Sequence, residues 1–336
     1  MEYPPSAVLL RWTGASALAL LDAYTAAISI FHLPASIRYL RGVHFRKITI
    51  IGVGLLGGSI GLAVQRRKLA RQSAGFVRRR ASLKDCEQAG AVDFATTDLF
   101  AAVWDADLII LCTPLAQMRA RVREMLPALK RGAIVTDVGS VKASVVRELE
   151  SLVQKSGAQF VGSHPMAGAE KSGVLSARAD LFAGTVCIVT PTRKTSRAAL
   201  KKVTQFWKAI GSRVLELKPE VHDVLVSRSS HLPHVVAATL ATHVLNPANP
   251  KPQAALCANG FRDTTRIASG SPGMWRDIAL ANRQNLAKSL NAFIADLQKL
   301  QRLVKKGDAK ALAKFFETAK QRRDAWCAGC ASPSSE

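Results

Sequence analysis

From Lys47 onward the chain alternates short, continuous apolar runs with longer stretches whose apolar residues recur at helical spacing. Residues 48–51, 73–77, 107–112, 133–138, 160–162 and 186–189 read as strands. Runs apolar on both faces fit a sheet covered by helices on each side. Helical patterns at 118–129 and 142–154 separate several of them, and this alternation predicts an α/β chain with a doubly wound parallel sheet. After Pro191 the rhythm changes: a helix over 198–210 and a short strand over 213–217 precede long helical patterns at 219–244, 254–267, 274–304 and 309–326. The loop 246–250, with two Asn-Pro pairs, interrupts them. The expected division is an extension over 1–45, a first domain over 46–191, a connecting helix and short strand over 192–218, an all-helical domain over 219–326 and a tail over 327–336.

The first strand runs straight into Gly52-Val53-Gly54-Leu55-Leu56-Gly57, a G-x-G-x-x-G sequence placed between a strand and a helix. Gly52 allows the tight turn, Gly54 lets backbone approach a pyrophosphate, and Gly57 lets the helix pack closely on the strand. Leu55 and Leu56 open the helix whose N-terminal N–H groups receive the anion. The first domain is therefore expected to be a Rossmann-type dinucleotide site, with Thr113-Pro114 at the end of another strand also facing the cofactor. An acidic residue normally follows the second strand to bind ribose hydroxyls, but here Arg78, Arg79 and Arg80 stand there instead. Arginines suit a 2′-phosphate, so NADP is favoured over NAD; a solvated helix start is the plainer reading of the same residues.

Of 336 residues, 48% are hydrophobic and 21% charged, which describes a globular chain long enough for two cores. The net charge of +23 attracts anionic substrates and cofactors, and no arginine-rich tail or RNA-binding motif points to specific nucleic-acid recognition. Six cysteines, mostly within apolar or helical stretches, read as free thiols in a reducing compartment, so a cytoplasmic location is expected. Cys327 and Cys330 form a lone C-x-x-C with no second pair to complete a metal site. Residues 15–31 are apolar but interrupted by Asp22, too short for a membrane span and poorly flanked for a secretory signal. A loosely attached helix, or translation starting near Val43, accounts for this segment better than a membrane anchor.

Ligands bind beyond the carboxyl ends of the strands in such a sheet. Two further polar sequences fall there: Gly139-Ser140-Val141-Lys142 and Ser163-His164-Pro165-Met166-Ala167-Gly168. His164 is suited to take a proton as hydride leaves an alcohol carbon, although a histidine merely satisfied at a strand end is the plainer alternative. In the helical region His231 and His234 lie three apart with no third ligand, so no metal is expected. Arg266 is suited to fork onto a carboxylate, or to bridge to an acid such as Asp277.

The motifs at 52–59, 137–142, 163–173, 230–234 and 261–268, followed by Met274-Trp275-Arg276-Asp277, together resemble the prephenate/arogenate dehydrogenase family of tyrosine biosynthesis, over about 47–323. That resemblance implies an oxidative decarboxylation in which His164 takes the proton of the C4 hydroxyl while hydride passes to NAD(P). It further implies that Ser140 hydrogen-bonds near that hydroxyl, that Arg266 grips a substrate carboxylate, that His234 and Trp275 line the pocket, and that the chain is a homodimer through its helical domain. Prephenate would give 4-hydroxyphenylpyruvate, and arogenate would give tyrosine; Glu170 or Asp263 is a candidate to favour the ammonium of arogenate. From the span of the chain neither a fused mutase nor a regulatory ACT domain is expected. A β-hydroxyacid-type dehydrogenase and a non-catalytic NADP-binding sensor remain as alternatives.

Overall fold

The computed structural model describes residues 43–168 and 171–331, with nothing described of the side chains of Cys330 and Ala331. The apolar segment at 15–31, Glu170 and the last five residues of the tail lie outside the described residues. An eight-stranded sheet has the order β3-β2-β1-β4-β5-β6-β7-β8. Its strands are β1 (Phe45–Ile51), β2 (Ala70–Phe76), β3 (Phe94–Thr96), β4 (Leu108–Leu111), β5 (Ile134–Asp137), β6 (Gln159–Pro165), β7 (Val186–Thr190) and β8 (Arg213–Glu216). The first six are parallel in the 3-2-1-4-5-6 order of a Rossmann-type sheet. The parallel expectation fails at one place: β7 runs antiparallel to β6, and β8 then lies parallel to β7.

Helices α1 (Leu55–Arg66), α2 (Ala81–Ala89), α3 (Leu99–Val103), α4 (Leu115–Met125), α5 (Ala143–Gln154) and α6 (Arg197–Ala209) accompany the sheet. Residues 192–218 thus contribute α6 and β8 to this same sheet. The central strands β1, β4 and β5 are buried on both faces, because helices cover each side. One core cluster gathers Ile48, Ile50, Ile60, Val203, Phe206 and Trp207; the other, across the sheet, gathers Ile51, Ile109, Met118, Val122 and Leu149.

The helical region is more broken than its apolar periodicity predicts. The expected helix over 219–244 is α7 (Pro219–Val226), a π-helical turn at Ser227–His231, and α8 (Leu232–Val244). Serines compete locally for the backbone there: Ser227 Oγ donates to Val224 O and Ser229 Oγ to Leu225 O. The pattern at 254–267 splits into α9 (Pro252–Ala255), α10 (Asn259–Thr265) and a 3-10 turn at Arg266–Ser269. That at 274–304 splits at Asn282 into α11 (Pro272–Ala281) and α12 (Arg283–Lys306). Asn282 is drawn inward, its Nδ2 donating to Asp223 O at 2.8 Å. The last helix is α13 (Ala309–Ala331). No described helix is long and apolar enough to cross a membrane.

Candidate active site

The carboxyl ends of β1, β4, β5 and β6 face the helical region across a cavity of 630 Å³. Its walls hold Gly54, Leu55, Leu56 and Gly57 from the glycine turn, Ser140 after β5, His164 on β6, and His234, Arg266 and Trp275 from the helical region. Residues from six stretches, spread from Gly54 to Trp275, therefore meet in one place.

The glycine turn is built as its sequence requires. Gly52 has φ +99°, a left-handed conformation that disfavours any side chain, and an added Cβ would come 2.9 Å from Cys112 O. A methyl group on Gly57 would overlap the Gly52 carbonyl oxygen, so the helix packs this closely only with glycine. A Cβ on Gly54, by contrast, meets nothing within 4 Å. No side chain caps α1, so its first N–H groups face the cavity side of the turn without a protein side-chain acceptor. Thr113 Oγ1, at the adjacent end of β4, is buried without a hydrogen-bond partner among the described residues. A bare helix N-terminus beside an open glycine and an orphaned hydroxyl fits the pyrophosphate and nicotinamide ends of a dinucleotide.

Gly52 N donates to Phe76 O at 2.9 Å, which joins the glycine turn to the end of β2. Arg78, Arg79 and Arg80 follow that strand and are exposed, with α2 starting at Ala81. They stand outside the cavity wall, as does Pro114.

His164 is buried, and its Nδ1 lies 2.8 Å from Nε2 of His222, whose own Nδ1 lies 2.8 Å from Asp223 Oδ1. Asp223 also accepts from Lys142 N at 2.7 Å and Ala143 N at 3.0 Å, anchoring α7 to the start of α5. Burial holds the His164 pKa well below the usual 6.5, reinforced by His222, Lys142 and His231. Beneath it Lys142 forms a fully buried ion pair with Asp137 and donates to Ser163 O at 2.8 Å. Burial lowers the lysine's pKa while the Asp137 and Asp223 carboxylates oppose that shift.

On the opposite wall His234 stacks on Trp275, with ring centroids 3.7 Å apart and planes inclined by 27°. His234 Nδ1 donates to Ser230 O at 3.0 Å, and burial lowers its pKa. The π turn explains how α7 and α8 both serve the site. An unbroken helix would turn His222 and His234 about 120° apart, whereas one inserted residue reduces that angle to about 20°.

The described wall carries two charged side chains, Lys171 and Arg266, both cationic. Asp263 is exposed on α10 and does not line the cavity. Asp277 accepts from Arg276 at 2.7 Å. Among the described residues no group of three or more His, Cys, Asp or Glu could hold a metal ion. The link from His164 through His222 to Asp223 leaves one trace in the sequence, an adjacent His-Asp pair on an apolar helical pattern.

Two family models match the chain: "Prephenate dehydrogenase, nucleotide-binding domain" over residues 60–216 and "Prephenate dehydrogenase, dimerization domain" over residues 218–318. A prephenate dehydrogenase of Bacillus subtilis is 36% identical over 279 residues, covering 82% of this chain and 75% of the relative. The crystal structure of prephenate dehydrogenase from A. aeolicus in complex with hydroxyphenyl propionate and NAD+ superposes with a TM-score of 0.79 at 32% identity, covering 85% of this chain and 99% of that one. Synechocystis arogenate dehydrogenase superposes with a TM-score of 0.70 at 29% identity, covering 83% and 99%.

Proposed function

The chain belongs to the prephenate dehydrogenase family, and from that membership we propose how its residues carry out an NAD(P)-dependent oxidative decarboxylation of prephenate. One observation supports the reading above others: the cavity sets the glycine turn against His164, Ser140, Arg266, His234 and Trp275.

Gly52, Gly54, Leu55, Leu56, Gly57, Thr113 and Pro114 would hold NAD(P), which would supply the hydride acceptor. His164 takes the proton of the C4 hydroxyl, and its depressed pKa keeps it an unprotonated base at neutral pH. Ser140, on the same wall, orients that hydroxyl by hydrogen bonding. Arg266 binds a carboxylate, His234 and Trp275 form the wall against the ring, and Lys171 adds a second positive charge for a substrate with two carboxylates. Loss of the ring carboxylate as CO2 leaves its bonding electrons in the ring and aromatises it as the phenolate, to which the proton held by His164 returns, so the protein chiefly positions groups and carries that proton.

Prephenate is favoured over arogenate because the cations Lys171 and Arg266 suit a dianion better than a substrate that also carries an ammonium group. The similarity to Synechocystis arogenate dehydrogenase supports arogenate, and hence tyrosine as product, as the second reading. NADP is favoured over NAD by Arg78 and Arg79 at the end of β2. The helical region matches a dimerization domain and exposes Ile294, Leu297, Val304, Phe315 and Phe316, which suits a homodimer. Measuring CO2 released per NAD(P)H formed from prephenate tests the reaction. A one-to-one ratio is expected, whereas reduction without CO2 would indicate an ordinary alcohol oxidation.

A further inference from the structure

The reading of His164 as a base requires a lone pair on the ring nitrogen that faces the cavity. An imidazole has two tautomers, and its other nitrogen's partner decides between them. Here the partners can be followed to a fixed end. Asp223 is a carboxylate that accepts two backbone N–H groups, from Lys142 and Ala143. As an acceptor it requires His222 Nδ1 to donate across their 2.8 Å contact. His222 is fully buried, and burial lowers its pKa, although Asp223 opposes that shift. A neutral His222 that donates through Nδ1 has its lone pair on Nε2. That atom lies 2.8 Å from His164 Nδ1, which must then be the donor. His164 Nε2 is left unprotonated.

We propose that the buried His222–Asp223 pair is a positioning device that fixes His164 as the Nδ1–H tautomer and accepts from its imidazolium once the substrate proton has been taken. The proposal rests on the reading of His164 as the base. No bond to His222 forms or breaks: the substrate O–H proton moves to His164 Nε2, and the Nδ1–H bond to His222 persists throughout. The two rings meet edge to face, with centroids 5.1 Å apart and planes inclined by 68°, so His222 offers His164 no stacking surface, only an acceptor nitrogen. Because Asp223 also holds the first backbone N–H groups of α5, the orientation of the base is tied to the junction between sheet and helical region.

Other groups facing His164 act differently. Lys142 contributes positive charge that disfavours the imidazolium, His231 is itself held neutral at pH 7 by burial, and Cys187 on β7 is buried with its thiol pKa raised by burial. Asp137 is engaged with Lys142 and with the Gly139 and Ser163 N–H groups. His222 Nε2 is therefore the group that accepts the hydrogen bond of His164 Nδ1–H.

The test combines 15N-histidine spectroscopy with kinetics on the full chain. Long-range 1H–15N correlations report which ring nitrogen bears the proton for each of the seven histidines, and His164→Asn assigns the relevant signal. His164 should be the Nδ1–H tautomer in the wild type and should lose that preference in His222→Leu. In the same variant kcat should fall about 10- to 100-fold with KM for substrate and cofactor nearly unchanged. His222→Gln, which can place an acceptor oxygen near the Nε2 position, should recover part of the rate. An Nε2–H tautomer in the wild type would overturn the proposal without any variant. So would an unchanged tautomer in a folded His222→Leu protein, whatever its rate. If the tautomer pattern holds but His164→Asn turns prephenate over normally, the base assignment fails while the pair still fixes the ring.

Discussion

The His234 imidazole lies flat against the Trp275 indole, 3.7 Å between centroids, and the pair forms the side of the cavity opposite His164. Trp275 is packed in turn on Gly270, where an added Cβ would come 2.6 Å from the indole Nε1. A stacked pair held this way is worth about 0.5–1.5 kcal/mol beyond its buried area. Trp275→Leu should raise the substrate KM about 3- to 10-fold and leave kcat within a small factor, as steady-state kinetics would show. A large fall in kcat at constant KM would move Trp275 from the binding wall into the chemical step.

The buried imidazoles give activity and stability related pH dependences. Because the His164 pKa is held below 6.5, the acid limb of kcat/KM should lie below that pH, and His164→Asn should reduce turnover about 100- to 10,000-fold while sparing cofactor binding. For stability the sign follows from proton binding. His231 falls from 6.5 to about 4 on folding, and His164 and His222 shift in the same direction. Between those values the unfolded chain binds more protons, so their contribution is complete above 6.5 and is lost as the pH falls toward about 4. Denaturant midpoints measured from pH 7 to pH 4 should decline steadily; a flat profile would contradict neutral burial.

Lys142 is a large, fully buried cation whose partner Asp137 is equally buried. Lys142→Met leaves that carboxylate without its counter-charge, at a cost of about 3–5 kcal/mol. Adding Asp137→Asn should restore part of the loss. Urea unfolding of both variants checks this, and equal destabilisation of the two would remove the ion pair as the cause.

The arginines after β2 are exposed, so their substitution should act on ligand rather than fold. Arg78→Ala and Arg79→Ala should each weaken NADP about 10-fold, the scale of a charge-assisted hydrogen bond, with little effect on NAD. Titration of each variant with both cofactors decides the matter, and equal losses would place no phosphate there.

How far the sequence reveals this molecule depends on how local each feature is. The strands β1, β4 and β5 are visible because continuous burial on both faces demands continuous apolar residues. The three-residue β3, half-buried at the sheet edge, leaves too short a pattern to read. The direction of β7 is equally hidden, because an apolar run carries no record of which way its neighbour points. The breaks at Ser227–His231 and Asn282 fall inside apolar periodicity, and each is set by polar side chains whose partners are the nearby carbonyls of Val224 and Leu225 or distant backbone. The same distinction holds in the site: the glycine turn is a local requirement, whereas the link between His164 and His222 spans 58 positions and exists only once α7 packs against β6.

The most direct test is steady-state reduction of NADP and NAD by the purified chain, each with prephenate and with arogenate. Reduction with prephenate, faster with NADP than with NAD and slower or absent with arogenate, is the predicted result. No reduction in any of the four combinations would contradict the proposed reaction. Reduction with arogenate alone would overturn the substrate preference inferred from the cationic wall.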